Sequence, residues 1–210
     1  MIHYSAKPAR AQKPLGDEPF HRYEFDDGTI WTEFYRSGDG YLLRFPGLAD
    51  FAVSADGTDV VAHPAEDTDE VTVEHLYINQ LVPLALSRQG QPTFHASAVT
   101  VPGGAVAFLA SSGMGKSTLA ASFALEDAQF LTDDALLIDE SDDGCLVKPS
   151  HPSLRLWSDS KDALINPGTP EAAEVSYSTK ARLLAGEALA FADTPQPLLA
   201  AYLLVSDDSN

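Results

Sequence analysis

Ala110-Ser-Ser-Gly-Met-Gly-Lys-Ser117 places two glycines, a lysine and a hydroxyl at the spacing of a Walker A loop. Each residue type has a use there. Gly113 and Gly115 let the backbone fold into a nest of N–H groups that approaches β- and γ-phosphate oxygens. Lys116 supplies a mobile point charge for such phosphates, and the Ser117 hydroxyl can ligate Mg²⁺. The strict pattern opens on Gly where this chain has Ala110, which fits only if that residue keeps negative φ. The cradle then comprises Ser111, Ser112, Gly113, Met114, Gly115, Lys116, Ser117 and Thr118. Downstream, Asp133 and Asp134 end the apolar run Gln129-Phe-Leu-Thr132. One carboxylate of such a pair can hold Mg²⁺ directly or through water, and the other can accept a proton from an attacking hydroxyl. Asp-Asp is also good turn chemistry between two strands. Leu131 and Leu136 on either side give the pair a buried strand context and favour the functional reading.

Holding these groups requires a strand, a loop and a helix. Gly104-Ala-Val-Ala-Phe-Leu109 is almost wholly apolar, as a buried strand would be. After the loop, Leu119, Ala120, Phe123 and Ala124 recur at helical spacing, and the helix N-terminus adds a positive field. Thr93 to Val101 reads as one strand, turned back by Pro102-Gly103-Gly104. A hairpin directly before a Walker A loop is uncommon in parallel P-loop folds, where a βαβ crossover dominates. It sets His95 on the strand neighbouring the loop, although a lone strand histidine is more often structural than catalytic.

With 31 acidic against 13 basic residues the net charge is −18, which argues against nucleic acid or an anionic membrane as a partner. A neutral or basic peptide partner is compatible, and so is a plain solvated acidic surface. Cys145 is the only cysteine, so neither an intrachain disulfide nor a cysteine-based metal site can form. The N-terminus has no apolar signal-peptide core and no run approaches a membrane span, so the expected location is cytoplasmic.

Three segments are expected along the 210 residues. Residues 1–19, with Pro8, Pro14 and Pro19, read as a flexible, loose or edge-docked tail. Residues 20–89 read as a small antiparallel β module with a linking helix. Aromatic and β-branched runs from His21 to about Ala62 are punctuated by turns at Asp27-Gly28, Asp39-Gly40 and Asp56-Gly57. The acids of Ala65 to Glu70 suit a helix N-terminus, and Val73, Leu76, Tyr77, Leu81 and Leu84 follow at helical spacing. Pro83 must kink that helix or end it early.

Residues 90–210 carry the glycine loop. Ser141 to Gly144 is expected as a hairpin tip, Leu154 to Trp157 as a strand, and Ser158 as the cap of a helix over 159–165. Arg155 and Lys180 are basic residues that could reach phosphates or form surface ion pairs. Pro197 to Val205 reads as a final buried strand, after which either the sheet ends or a further C-terminal segment follows.

Phe94-His95-Ala96-Ser97-Ala98, the short hairpin, Ser112 to Ala120 and Leu131-Thr132-Asp133-Asp134 together resemble the HPr kinase/phosphorylase-related serine kinases over about residues 90–205. The resemblance implies an α/β (α+β) fold, with a P-loop kinase domain whose mixed sheet is related to phosphoenolpyruvate carboxykinase. It implies ATP and Mg²⁺ as cofactors and a serine on a protein or peptide as acceptor. On that pattern Lys116 contacts phosphates, Ser117 and Asp133 serve the metal, and Asp134 accepts the proton, with the two acids open to exchange. His95 joins the site, and the oligomers of related kinases make a homo-oligomer an expectation here. The chain departs from the pattern after the acid pair. HPr kinases carry Glu-Val-Arg-Gly-Leu-Gly there, whereas this chain has Ser153-Leu-Arg155-Leu-Trp157, which argues against phosphorolysis and against HPr as substrate. The rival expectation is a nucleotide-binding regulatory module that transfers no phosphate.

Overall fold

A computed structural model describes residues 1–25, 27–142, 144–165, 169–186 and 189–205. The chain mixes α and β structure, with helices few and short, and divides into two compact units. One unit is Met1–Gly90 together with Val175–Tyr177. The other is Gln91–Glu174 together with the chain from Ser178 on. Among the described residues no helix is long and apolar enough to cross a membrane.

The first unit is a six-stranded sheet backed by one broken helix. Its strands are β1 (His3–Ala6), β2 (His21–Glu24), β3 (Ile30–Ser37), β4 (Gly40–Phe45), β5 (Ala49–Val53) and β6 (Asp59–Pro64), in the spatial order β1-β6-β5-β4-β3-β2. Most neighbours are antiparallel, but β1 runs parallel to β6, so the sheet is mixed rather than antiparallel throughout. Part of the expected tail is thereby docked at the sheet edge as a strand, the second of its two alternatives. Beyond β1 the backbone N–H groups of Lys7 and Arg10 donate to Ala62 and Pro64 carbonyls. The Gln12 amide bridges the Phe45 carbonyl and the Asp50 carboxylate. The turn expected at Asp39-Gly40 sits one residue earlier, because Ser37 pairs with Gly40 and Gly38 takes the positive φ. Gly40 begins β4 instead, where an added Cβ would meet the Val53 carbonyl at 2.4 Å.

Asp69 caps α1 (Glu70–Leu76) through its carboxylate and the Thr72 N–H. Five residues of π-helix, Tyr77–Leu81, then join α1 to α2 (Val82–Arg88). The wider turn absorbs Pro83 inside a continuous helical path, where a regular helix would have had to end or kink. Leu76, Leu81 and Ala85 pack on Phe45, Phe51 and Val60.

In the second unit the strands are β7 (Thr93–Phe94), β8 (Ala96–Val101), β9 (Gly104–Leu109), β10 (Phe130–Thr132), β11 (Leu136–Ser141), β12 (Gly144–Lys148), β13 (Ser153–Leu156), β14 (Ala181–Leu184) and β15 (Gln196–Leu203). Seven of them form a sheet in the order β10-β8-β9-β15-β12-β11-β7, while β13 pairs with β14 separately. The large sheet is mixed: β9 runs parallel to β15 and antiparallel to β8. The strand expected over Thr93–Val101 is broken at His95, with β7 pairing to β11 and β8 to β9 and β10. The β8–β9 hairpin turns on Pro102 and Gly103, and Gly103 has φ +94. The expected tip at Ser141–Gly144 includes Asp143, which lies outside the described residues; Ser141 and Gly144 themselves pair across β11 and β12.

Helix α3 (Lys116–Leu125) lies on β8, β9 and β10. It buries Ala120, Ala121 and Ala124, small side chains that let helix and sheet approach closely, and leaves Phe123 partly exposed, so the expected apolar stripe is rotated. Helix α4 (Ser158–Leu164) takes Trp157 as its N-cap with no side-chain cap, so Ser158 is the first helical residue and not the cap. Strand β15 is not the buried strand expected: Leu199, Tyr202 and Leu203 are more than half exposed.

Candidate functional site

The loop after β9 has the conformation its glycines permit. Gly113 has φ +82 and Gly115 has φ +84, and an added Cβ at either would meet nothing within 4 Å, so backbone conformation and not crowding demands glycine. Ala110 is not among the positive-φ residues, which removes the steric objection to alanine at the start of the loop. Gly115 caps α3 in the left-handed region and leaves the first N–H groups of this ten-residue helix facing the loop. Lys116, the first helical residue, is only 6% exposed, and its Nζ donates to the carbonyls of Ala110 and Ser111 at 3.0 and 3.1 Å.

Asp133 is the hub of the site. Its Oδ1 accepts the hydroxyls of Ser117 and Ser97, both at 2.7 Å, and its Oδ2 accepts the Arg155 backbone N–H at 2.9 Å. Strand β10, which leads into the acid pair, is not adjacent to the loop strand β9. Strand β8 lies between β9 and β10, and Ser97 on β8 spans the gap. Ser97 is fully buried. Its signal in the sequence is only a small hydroxyl in an alanine-rich strand.

Asp134 adopts φ +78, a region that non-glycine residues visit rarely and Asp more readily than most. Its carboxylate forms an ion pair with the Arg155 guanidinium. The Nε of Arg155 is buried without a hydrogen-bond partner. His95 packs against the same residue, with Nδ1 at 3.1 Å from the Asp134 carbonyl oxygen. A carbonyl only accepts, so Nδ1 carries the proton and Nε2 keeps a lone pair. Partial burial, then the nearby Lys116 charge, hold the imidazole below its usual pKa, with Asp133 opposing them. At neutral pH His95 is therefore uncharged, and its approach to the Asp134 carboxylate (3.9 Å) is not an ion pair.

These groups share one cavity of about 160 Å³, lined by His95, the loop from Ser112 to Thr118 apart from Met114, and Asp134. Arg155, Trp157, Asp159, Ser160 and Lys180 complete the wall. Of the expected cradle residues, Ser111 contributes its carbonyl to Lys116 and, like Met114, stays outside the lining. Asp133 lies behind Ser117. Arg155 and Lys180, ambiguous in the sequence, both face the cavity. Burial lowers the pKa of Lys116 and of Lys180, Arg155 lowers Lys180 further, and Asp133 raises both.

Among the described residues no carboxylate lies within ion-pair distance of Lys116 or Lys180. Nor do three or more His, Cys, Asp or Glu converge as a metal cage among them. A chain of net charge −18 thus gathers three cations around one cavity and leaves two without an acidic partner, an arrangement suited to an anion. No protein-family model matches the chain, and a search of curated proteins finds no match.

Proposed function

We propose that this protein is an ATP- and Mg²⁺-dependent kinase that phosphorylates a serine hydroxyl on a protein or peptide. The carrying observation is the Ser117–Asp133 hydrogen bond beside a left-handed glycine loop, with Lys116 and Asp134 on the same cavity. The mixed sheet, with a hairpin feeding the loop, accords with the P-loop type of HPr kinase and phosphoenolpyruvate carboxykinase. A cytoplasmic setting, with ATP as donor, fits the same reading.

The residues fit the cofactors. The Arg155 Nε has no hydrogen-bond partner, the Lys116 ammonium is held by two loop carbonyls with no carboxylate in ion-pair distance, and the glycine loop supplies N–H groups for phosphate oxygens. A hydroxyl that donates to Asp133 retains lone pairs, so Ser117 can ligate Mg²⁺ while Asp133 holds it through water or directly. Mg²⁺ commonly takes few protein ligands and completes its shell with phosphate oxygens and water. Bound there, it would neutralise charge on the phosphates. Lys116 exchanges its two loop carbonyls for phosphate oxygens. Asp134 takes the proton of the serine hydroxyl as that oxygen bonds to the γ-phosphorus and the bond to the bridging β-phosphate oxygen breaks, releasing ADP. His95, fixed through Nδ1, steadies the Asp134 backbone.

One observation favours the rival, a regulatory module that binds nucleotide without transferring phosphate: the Arg155 guanidinium already occupies the Asp134 carboxylate. Phosphate transfer from γ-labelled ATP with Mg²⁺ into a lysate of the source cell separates the two. A kinase labels a band with wild type and loses it with Lys116→Ala, and Asp134→Asn slows labelling by about a hundredfold or more. Nucleotide binding that depends on Lys116, with no labelled band at all, would establish the regulatory module instead.

A further inference from the structure

Lys180 stands apart from the glycine loop in sequence yet lines the same cavity. Its Nζ lies 4.9 Å from the centroid of the Trp157 ring, and Trp157 is itself nearly half exposed at the cavity wall. Exposed tryptophan with a lysine over its face is a device for fixing a flexible side chain: the ring attracts the ammonium without neutralising it. A carboxylate would fix Lys180 equally well but would cancel its charge. Asp159 sits on the same wall, and no ion pair joins it to Lys180 among the described residues. Lys180 is therefore held in place, charged and unpaired, in a cavity that already contains Lys116 and Arg155. Like charges gathered this way repel one another, and that repulsion is relieved when a multiply charged anion enters.

Resting on the kinase reading of the site, we propose that Lys180 is a second phosphate-binding cation of this cavity and that Trp157 is its positioning residue, so that the pair recognises the terminal phosphate of a polyphosphate chain. Lys116 grips from the loop and Lys180 from its place over Trp157 in the same lining. Trp157 touches no phosphate; it sets where Lys180 waits.

Tripolyphosphate, which has neither base nor sugar, is the probe. The chain has two tryptophans, Trp31 and Trp157, so Trp31→Phe leaves Trp157 as the sole tryptophan for selective excitation. In that background tripolyphosphate binding should draw Lys180 off the ring and change the Trp157 emission. Calorimetric affinity should fall about tenfold or more for Lys180→Ala, since a charge-assisted contact is lost, and stay within a few-fold for Lys180→Arg. Trp157→Ala should weaken binding by less than Lys180→Ala, and Trp157→Phe should restore most of it, because a phenyl ring also holds a cation. Unaltered thermal unfolding of Lys180→Ala checks that its effect is local. If Lys116→Ala abolishes binding while Lys180→Ala matches wild type, the inference about Lys180 is overturned and the loop reading stands. If wild type binds no tripolyphosphate, or Lys116→Ala binds it undiminished, the phosphate reading of the cavity falls with it.

Discussion

Removing the Asp133 side chain tests whether that carboxylate organises the second unit or merely sits in it. Three donors converge on it, from Ser97, Ser117 and the Arg155 backbone. In Asp133→Ala they fare differently. The Ser97 hydroxyl is fully buried and has no other acceptor among its hydrogen bonds, so it bears an unsatisfied-donor cost of about 1–3 kcal/mol. The Ser117 hydroxyl lines the cavity and can turn to water, losing little. The Arg155 N–H is partly buried and loses a bond to a charged acceptor, worth about 1.5–3 kcal/mol. Against this, the mutant no longer has to bury a carboxylate that is only 8% exposed, which returns part of the loss. The net expectation is a destabilisation of about 3 kcal/mol.

Urea denaturation in the Trp31→Phe background, followed by Trp157 fluorescence, isolates the second unit and gives the change directly. Ser97→Ala alone should cost about 1 kcal/mol, and the double mutant should show coupling of about 1–2 kcal/mol because both changes remove the same bond. An Asp133→Ala protein as stable as wild type, or more stable, would refute the reasoning. The carboxylate would then be a charge retained for its chemistry at a cost to the fold.

Asp69→Ala removes the α1 cap and should lower stability by about 1 kcal/mol at neutral pH, read as a shift in the urea midpoint of the first unit. Asp56 has its pKa lowered to about 2 by the Ser54 hydroxyl first, then by the Thr58 N–H and hydroxyl. A depressed folded-state pKa means its contribution is present above the unfolded value of about 3.9 and is lost as pH falls toward about 2. The difference in Tm between wild type and Asp56→Ala should therefore shrink through that window, and a difference that stays constant with pH would count against it. Gly104→Ala would drive a Cβ to 2.3 Å from the Pro197 carbonyl oxygen, forcing β9 and β15 apart; about 1–3 kcal/mol of destabilisation in thermal or urea unfolding is expected.

What the sequence made legible was local. A glycine loop announces its conformation in its own residues, because positive φ at Gly113 and Gly115 is a property of those positions and needs no partner. The Asp69 cap and the tight turn at Pro102-Gly103 are legible for the same reason. What depended on distant packing was not. The rotation of α3 that buries Ala121 and exposes Phe123 follows from which strands the helix rests on, and helical spacing fits either face. Strand order is equally silent in a local reading, and so Ser97, interposed on β8, escaped notice as a site residue. The tripeptide Val175–Tyr177, which belongs to the first unit, carries no signal at all in its composition. There Tyr177 approaches His75 at 2.5 Å and Ser176 meets Thr72 at 3.2 Å.

The same distinction explains why Arg155 looked ambiguous. Its strand alternates, with Leu154 and Leu156 buried on one side, so Arg155 must point to the other face. The sequence alone cannot say what occupies that face. In the fold it is the kinked backbone of Asp134, whose left-handed φ only Gly, Asn or Asp tolerates readily. Asp134→Asn therefore keeps the backbone while removing the charge that Arg155 pairs with, whereas Asp134→Ala removes both the charge and the local tolerance for that conformation. Stability should separate the two, with the alanine variant the weaker by about 1 kcal/mol. At the cavity lining Asp134 thus pairs with a cation whose Nε is buried without a partner. On the kinase reading, Arg155 would move from Asp134 to phosphate as the nucleotide enters, and the Asp134 carboxylate would become free to accept a proton only then.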